Sequence, residues 1–209
     1  MPADVSDFLL KEYDAAKELT FEIDELRNKI STFYATLATL AVAALGLFVK
    51  SGDKPAHEQL GYTLPVVMLA VGAMGFLVIR ALARLRAVQL EHFRIMNNIR
   101  EHFLADAEEL ELQSVVELSS ETLPTPNRRS GSYMWVAMVI LVSAVFIASS
   151  TYTTFVVSKR GTEFFKWIVT IGIFVAVCRV QDVLYLDAAQ PRPKSSSHRT
   201  VRDATSRPA

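Results

Sequence analysis

The sequence predicts an all-α protein, a four-helix transmembrane bundle with a cytoplasmic helical stalk. Three observations carry that prediction: long runs without charge, a seven-residue apolar repeat leading into the first run, and short connections poor in Lys and Arg. Of 209 residues, 51% are hydrophobic and 21% are charged, but the charges are unevenly placed. No Asp, Glu, Lys or Arg occurs between Lys29 and Lys50, between Glu58 and Arg80, or between Arg129 and Lys159. Each run holds about 20 residues or more, and roughly 20 helical residues cross about 30 Å of hydrocarbon. One charge at the bilayer centre costs roughly 2.5–3.5 kcal/mol on insertion scales, so runs of this length point to lipid rather than to a soluble core.

The N-terminal segment, residues 1–30, reads as a cytoplasmic amphipathic helix running into the first span. Leu9, Ala16, Ile23 and Ile30 recur every seven residues, and Leu19, Leu26 and Phe33 supply a second heptad position. Glu12 interrupts the repeat at its start, and Glu22, Asp24, Glu25 and Arg27 crowd the other face. Such a helix seeks a helical partner. Its net negative charge makes flat binding to an anionic leaflet the weaker use. A first transmembrane hairpin follows over 31–84, with an outer loop near 51–61.

The second span leaves the membrane through Arg80, Arg84 and Arg86 and is expected to continue as a cytoplasmic helix to about Leu104. On 100° spacing, Leu85, Val88, His92, Ile95, Met96, Ile99 and Phe103 share a face. That face is the expected partner of the N-terminal helix, through Leu9, Ile23 and Leu26. The rest of the cytoplasmic region, to residue 132, carries Asp106, Glu108, Glu109, Glu111, Glu117 and Glu121, then a Pro-bearing linker over 122–132. A second hairpin spans 133–186. Its second helix has the shortest charge-free run, only Trp167 to Cys178, bracketed by Lys166 and Arg179. Snorkelling of those two side chains extends it to a full span; an interfacial or re-entrant helix is the alternative. Residues 187–209, rich in Pro, Ser and Arg, read as a disordered cytoplasmic tail.

Orientation follows from Lys and Arg, which favour cytoplasmic flanks. The two short connections are poor in them, whereas the N-terminal segment, the central segment and the tail are rich. The expected placement is multi-pass in the cell membrane, a bacterial inner membrane, with both termini cytoplasmic. No secretory leader is expected, since the first apolar run follows an acidic helix. The single cysteine, Cys178, permits no intramolecular disulfide, and a net charge of zero argues against nucleic acid as a partner.

The sequence offers few residues suited to chemistry. There is no Walker loop, dinucleotide glycine motif, HExxH, nucleophile elbow or paired-cysteine pattern, so no catalytic residue, metal ligand or cofactor is predicted. The repeated Glu-His-Phe at 91–93 and 101–103 separates its histidines by about 80° on a helix, which disfavours a shared metal. His92 reads either as a sensor or as a histidine hydrogen-bonded between helices. Ser143, Ser150 and Thr154 form a polar stripe on the third span, either a path in an oligomer or a set of packing hydrogen bonds. Gly72, Ala73 and Gly75 permit close helix approach. Arg80, Lys166, Arg179 and Asp182 are membrane-interface charges, with Arg179 and Asp182 spaced to pair.

The segment from Glu12-Tyr13 to Leu26-Arg27, directly before a span, and the basic continuation from Arg84 to Met96-Asn97-Asn98-Ile99-Arg100 resemble small bacterial transmembrane effectors of nucleotide-signalling antiphage systems. The resemblance is architectural, covers roughly residues 8–104, and lacks a recognisable cyclic-nucleotide domain. It implies a non-enzymatic effector. The expected protein is a homo-oligomeric, pore-like membrane element whose stalk binds a cytoplasmic protein or small-molecule signal. A structural scaffold or transport accessory is the alternative.

Overall fold

The computed structural model describes residues 3–50, 54–105, 131–159 and 161–190. The acidic stretch of 106–121, most of the linker and the tail from 191 lie outside the described residues. Within them the chain is all-helical: α1 (Ala3–Lys50), α2 (Lys54–Ala105), α3 (Gly131–Val157) and α4 (Glu163–Ala188).

Lengths sort the helices into two kinds. α1 has 48 residues and α2 has 52, or roughly 70–80 Å each, more than twice the hydrocarbon thickness. α3 and α4, at 27 and 26 residues, come to roughly 40 Å. The amphipathic N-terminal segment and the first charge-free run thus form one unbroken helix, as do the second run and its basic continuation. α2 begins at Lys54, so most of the loop expected near 51–61 is helical. Pro65 lies within α2, where the Ser150 hydroxyl of α3 donates to its carbonyl at 2.7 Å.

Among the described residues, three helical segments are long and apolar enough to cross a membrane: Thr63–Arg100, Tyr133–Val157 and Glu163–Ala188. The last of these is the helix with the shortest charge-free run in the sequence. It buries Lys166, Gln181, Asp182 and Tyr185, yet exposes Phe164, Trp167, Ile168, Ile171, Val175, Val180, Val183 and Leu184. A helix that turns its large apolar side chains outward and its polar ones inward suits a lipid surround.

α2 is the central helix, packed against α1, α3 and α4, while α1 and α3 meet only narrowly. The core joins Tyr34 and Ala38 of α1, Val71, Val78, Ile79, Leu82 and Ala83 of α2, Val136, Val139, Ile140 and Phe146 of α3, and Tyr185 of α4. The α3–α4 turn uses two residues of positive φ, Lys159 at 52° and Gly161 at 76°. Thr162 then caps α4, accepting from the Phe165 amide at 3.4 Å.

α2 packs along one continuous face. Gly72, Gly75, Ile79 and Leu82 are buried at spacings of three and four, and Gln89 and Leu90, then Met96 and Asn97, continue that face one heptad apart. The face expected for the stalk lies about 100° round the helix. Of its members Met96 and Ile99 are buried, Leu85, His92 and Phe103 are half-buried, and Val88 and Ile95 are exposed. A helix continuous past the spans carries the face chosen between them into its extension, and that continuity rotates the contact. On α1, Ile23 is buried, Leu9 is half-buried and Leu26 is exposed.

Candidate functional site

Two polar layers lie inside this helix packing. The first sits among α2, α3 and α4. Gln181, with no exposed surface, donates from Nε2 to Ser143 Oγ at 2.7 Å, and Ser143 donates to the Gly72 carbonyl at 2.7 Å. The serine hydroxyl is therefore both donor and acceptor, tying three helices together. Gly75 makes this approach possible, because a Cβ there would lie 2.6 Å from Ser143 Oγ and 2.8 Å from the Tyr34 hydroxyl. Tyr34 donates to the Val71 carbonyl at 3.3 Å. Gln181 Oε1 is buried without a hydrogen-bond partner among the described residues.

These bonds account for the polar stripe of the third span. Ser143 and Ser150 bond to backbone carbonyls of α2, and Thr154 bonds back to the Ser150 carbonyl at 2.8 Å. Interhelical bonding of this kind holds spans together. Near the other end of α4, Lys166 is buried and pairs with Glu163 at 2.7 Å. Asp182 is buried and accepts from the Tyr133 hydroxyl at 2.5 Å, while Arg179 and Arg80 are exposed.

The second layer lies where the long helices leave the apolar region. Arg27, only 6% exposed, donates from Nη1 to Asp24 at 3.1 Å and to Gln89 Oε1 at 3.4 Å. Arg86 donates to the same Gln89 oxygen at 2.7 Å. Two guanidinium groups thus converge on one buried amide carbonyl, which has lone pairs for both. Farther out, Arg100 donates to the Tyr13 hydroxyl at 2.5 Å and its guanidinium carbon lies 5.3 Å from that ring's centroid. Arg94 meets both carboxylate oxygens of Glu91, at 2.9 and 3.1 Å. On the outer face of α1, the ammonium of Lys29, 2.6 Å from Glu25, holds that carboxyl below its ordinary value.

The second layer opens into a cavity of about 300 Å³ whose lining includes Asp24, Arg27, Asn28, Ser31 and Trp135. A groove of about 360 Å³ adjoins it along α1 and α3, lined by Ser31, Tyr34, Leu40, Trp135, Met138 and Val142 among others. Among the described residues no three His, Cys, Asp or Glu side chains converge to hold a metal; the side chains of Glu101 and His102 lie outside them.

Sequence reasoning overlooked Arg27 and Gln89 as a buried pair. The signal was present in α1: Ala16, Thr20, Ile23, Arg27, Ser31, Tyr34 and Ala38 follow one another at three- and four-residue spacing and are all buried. Arg27 therefore lies on the inward stripe despite its charge. Gln181 is a second buried polar residue that the sequence analysis does not single out, and its bond to Ser143 crosses between helices that share no sequence signal. Comparison with protein-family models, with curated proteins and with solved structures finds no match for this chain.

Proposed function

We propose that the chain is a non-enzymatic integral membrane protein of four spans, with both ends in the cytoplasm, that acts as a homo-oligomeric effector. The cytoplasmic extensions of α1 and α2 form a stalk that receives a protein or small-molecule signal. The spans respond by rearranging within the oligomer and permeabilising the membrane, as the architectural resemblance to bacterial antiphage effectors suggests. The fourth span is the apolar end of α1, from residue 31 onward.

One observation carries the self-association. The second heptad position of α1 is left open: Leu19 is 42% exposed, Leu26 45% and Phe33 61%. A seven-residue apolar stripe on a long continuous helix fits a second copy of the same helix. Phe33 lies in the apolar region, whereas Leu26 lies at the level of the headgroups and Leu19 beyond them on the stalk, where no acyl chains cover either.

Mass measurement of the detergent-solubilised protein tests this. A defined oligomer that falls to monomer on Leu26→Glu is the expected result, and a monomer in the parent protein overturns it. Dye release from liposomes, with the stalk crosslinked through Leu19→Cys in a Cys178→Ser background, tests the response. Absence of leakage in every oligomeric state removes permeabilisation.

A second reading, a structural scaffold or transport accessory, draws on the hydroxyl groups of α3. Ser143 and Ser150 are engaged by α2 within a single chain, so a hydrophilic lumen lined by this stripe would need those bonds to break. A stable oligomer without leakage is the result that selects this reading.

A further inference from the structure

We propose that the seam between α1 and α3 binds one glycerophospholipid with a zwitterionic, primary-ammonium headgroup of the phosphatidylethanolamine class. Its phosphate lies beside Arg27, its ammonium beside Asp24, and an acyl chain occupies the groove beyond Ser31. The inference rests on the four-span reading, which puts Arg27 at the level of the cytoplasmic headgroups.

The shape of the seam is the first argument. The cavity at Arg27 and the groove beyond it share Ser31 and Trp135, so they form one continuous channel. Its two ends differ in chemistry. Asp24, Arg27 and Asn28 line one end, and Leu40, Met138 and Val142 line the other. Asp24 and Leu40 are about sixteen residues apart, or roughly 24 Å along α1. One leaflet, half of a bilayer of about 40–45 Å with its headgroups, measures roughly 20–22 Å. The channel therefore has the length and the polarity gradient of a single lipid lying along its leaflet. Trp135, half-exposed at the junction, sits where indole rings favour the membrane interface.

Charge selects the headgroup. The cavity holds an adjacent cation and anion, Arg27 and Asp24, 3.1 Å apart. A headgroup of one sign meets its own charge at one of the two, whereas a phosphate and an ammonium together match both. Gln89, which Arg86 also holds, fixes the Arg27 guanidinium in place, and such pre-organisation favours phosphate recognition. Asp24 is half-exposed in its side chain and accepts hydrogen bonds. A primary ammonium donates them and a quaternary one has no N–H to donate, which separates ethanolamine from choline.

The site does not compete with self-association. Asn28 and Ser31 lie about 140–160° round α1 from Leu26, so the headgroup end of the seam and the open stripe at Leu19 and Leu26 use different faces; the two approach each other only at Leu40, the apolar end of the groove.

Trp135 reports on the site directly. The chain has two tryptophans, so Trp167→Phe leaves Trp135 as sole fluorophore. This protein is reconstituted in phosphatidylcholine vesicles, and phospholipids with brominated chains, which quench indole, are introduced with ethanolamine, choline or glycerol headgroups. Half-maximal quenching by the ethanolamine lipid is expected at about a fivefold lower mole fraction than by the choline lipid, the equivalent of one exposed carboxylate–ammonium contact. Asp24→Asn, at a half-exposed position that leaves packing intact, is expected to abolish that advantage and bring the anionic glycerol lipid forward. Equal curves for the three headgroups, the result if a second copy or only annular lipid covers the seam, overturn the proposal. So does a preference for the anionic lipid in the parent, or an ethanolamine preference that survives Asp24→Asn. Quenching by none of the lipids overturns the four-span reading together with it.

Discussion

Gly75 shows how little room the helix packing leaves. A methyl group there would lie 2.5 Å from Ser143 Cβ, with Ser143 Oγ and the Tyr34 hydroxyl under 3 Å away. None of these atoms is the loose end of a flexible side chain, so Gly75→Ala pushes α2 from α3 and stretches the Ser143–Gly72 and Ser143–Gln181 bonds. The expected cost is about 1–3 kcal/mol, read as an earlier midpoint when the purified protein is unfolded by SDS in mixed micelles. Gly172, by contrast, has open space where its Cβ would go. Gly172→Ala is expected to leave the midpoint unchanged or to raise it by up to about 1 kcal/mol through helix propensity. Equal losses for the two variants would contradict the packing described. Gly72 and Gly75 were legible in the sequence as small residues that allow close approach. What they approach was not legible, because Ser143 is far away in the chain and reaches them only through the α2–α3 pairing.

At the scale of the element, two helices each do two jobs. α1 and α2 run through an apolar region and continue well past its length as a charged pair. The heptad in α1 was read correctly as a sign of a helix, and its first position, through Ala16 and Ile23, is buried. The matching face of α2 differs from the one chosen by apolar periodicity, since Gln89 and Asn97 are buried while Val88 and Ile95 are exposed. Periodicity weighs only apolarity. Here a glutamine sits inside because two arginines satisfy it, and buried polar groups are tolerated when hydrogen-bonded. The far end of the pair is held by Arg100 on Tyr13, through a hydrogen bond and a cation–π contact. Arg100→Ala should loosen the N-terminal turns of α1 by about 1 kcal/mol. Amide hydrogen exchange checks this: roughly fivefold faster exchange near Tyr13 is expected, with α3 unchanged. Equal exchange in the variant and the parent would show that the pair is held elsewhere.

The whole molecule is arranged for a surround that is not water. Large apolar side chains cover the outside of α3 and α4, while Gln181, Asp182, Lys166, Ser143 and Ser150 are inside. Exposed apolar surface of that extent on a soluble protein marks an interaction site or an aggregation hazard; against lipid tails it is the low-energy arrangement. The proposed four-span topology makes a definite prediction in a Cys178→Ser background. A cysteine at Ser158, in the α3–α4 turn, should react with a membrane-impermeant thiol reagent added to intact cells. A cysteine at Ser6 should react only after permeabilisation. The opposite pattern reverses the orientation, and labelling of both in intact cells removes the even number of spans.

Charge placement and apolar periodicity in the sequence determined the most about this protein: helical elements, apolar runs of membrane-crossing length, and the continuity of amphipathic extensions with two of them. These properties are local, because the order of charged and apolar residues along a helix is the same whatever the helix later packs against. The tertiary structure decided everything that depends on which residues meet. It set the rotation of α2, the burial of Arg27 and Gln89, the engagement of Ser143 with both Gln181 and Gly72, and the seam between α1 and α3. A polar side chain is stable inside only beside a partner of complementary geometry, and in each of these cases the partner comes from another helix, fixed in place only once the helices have packed.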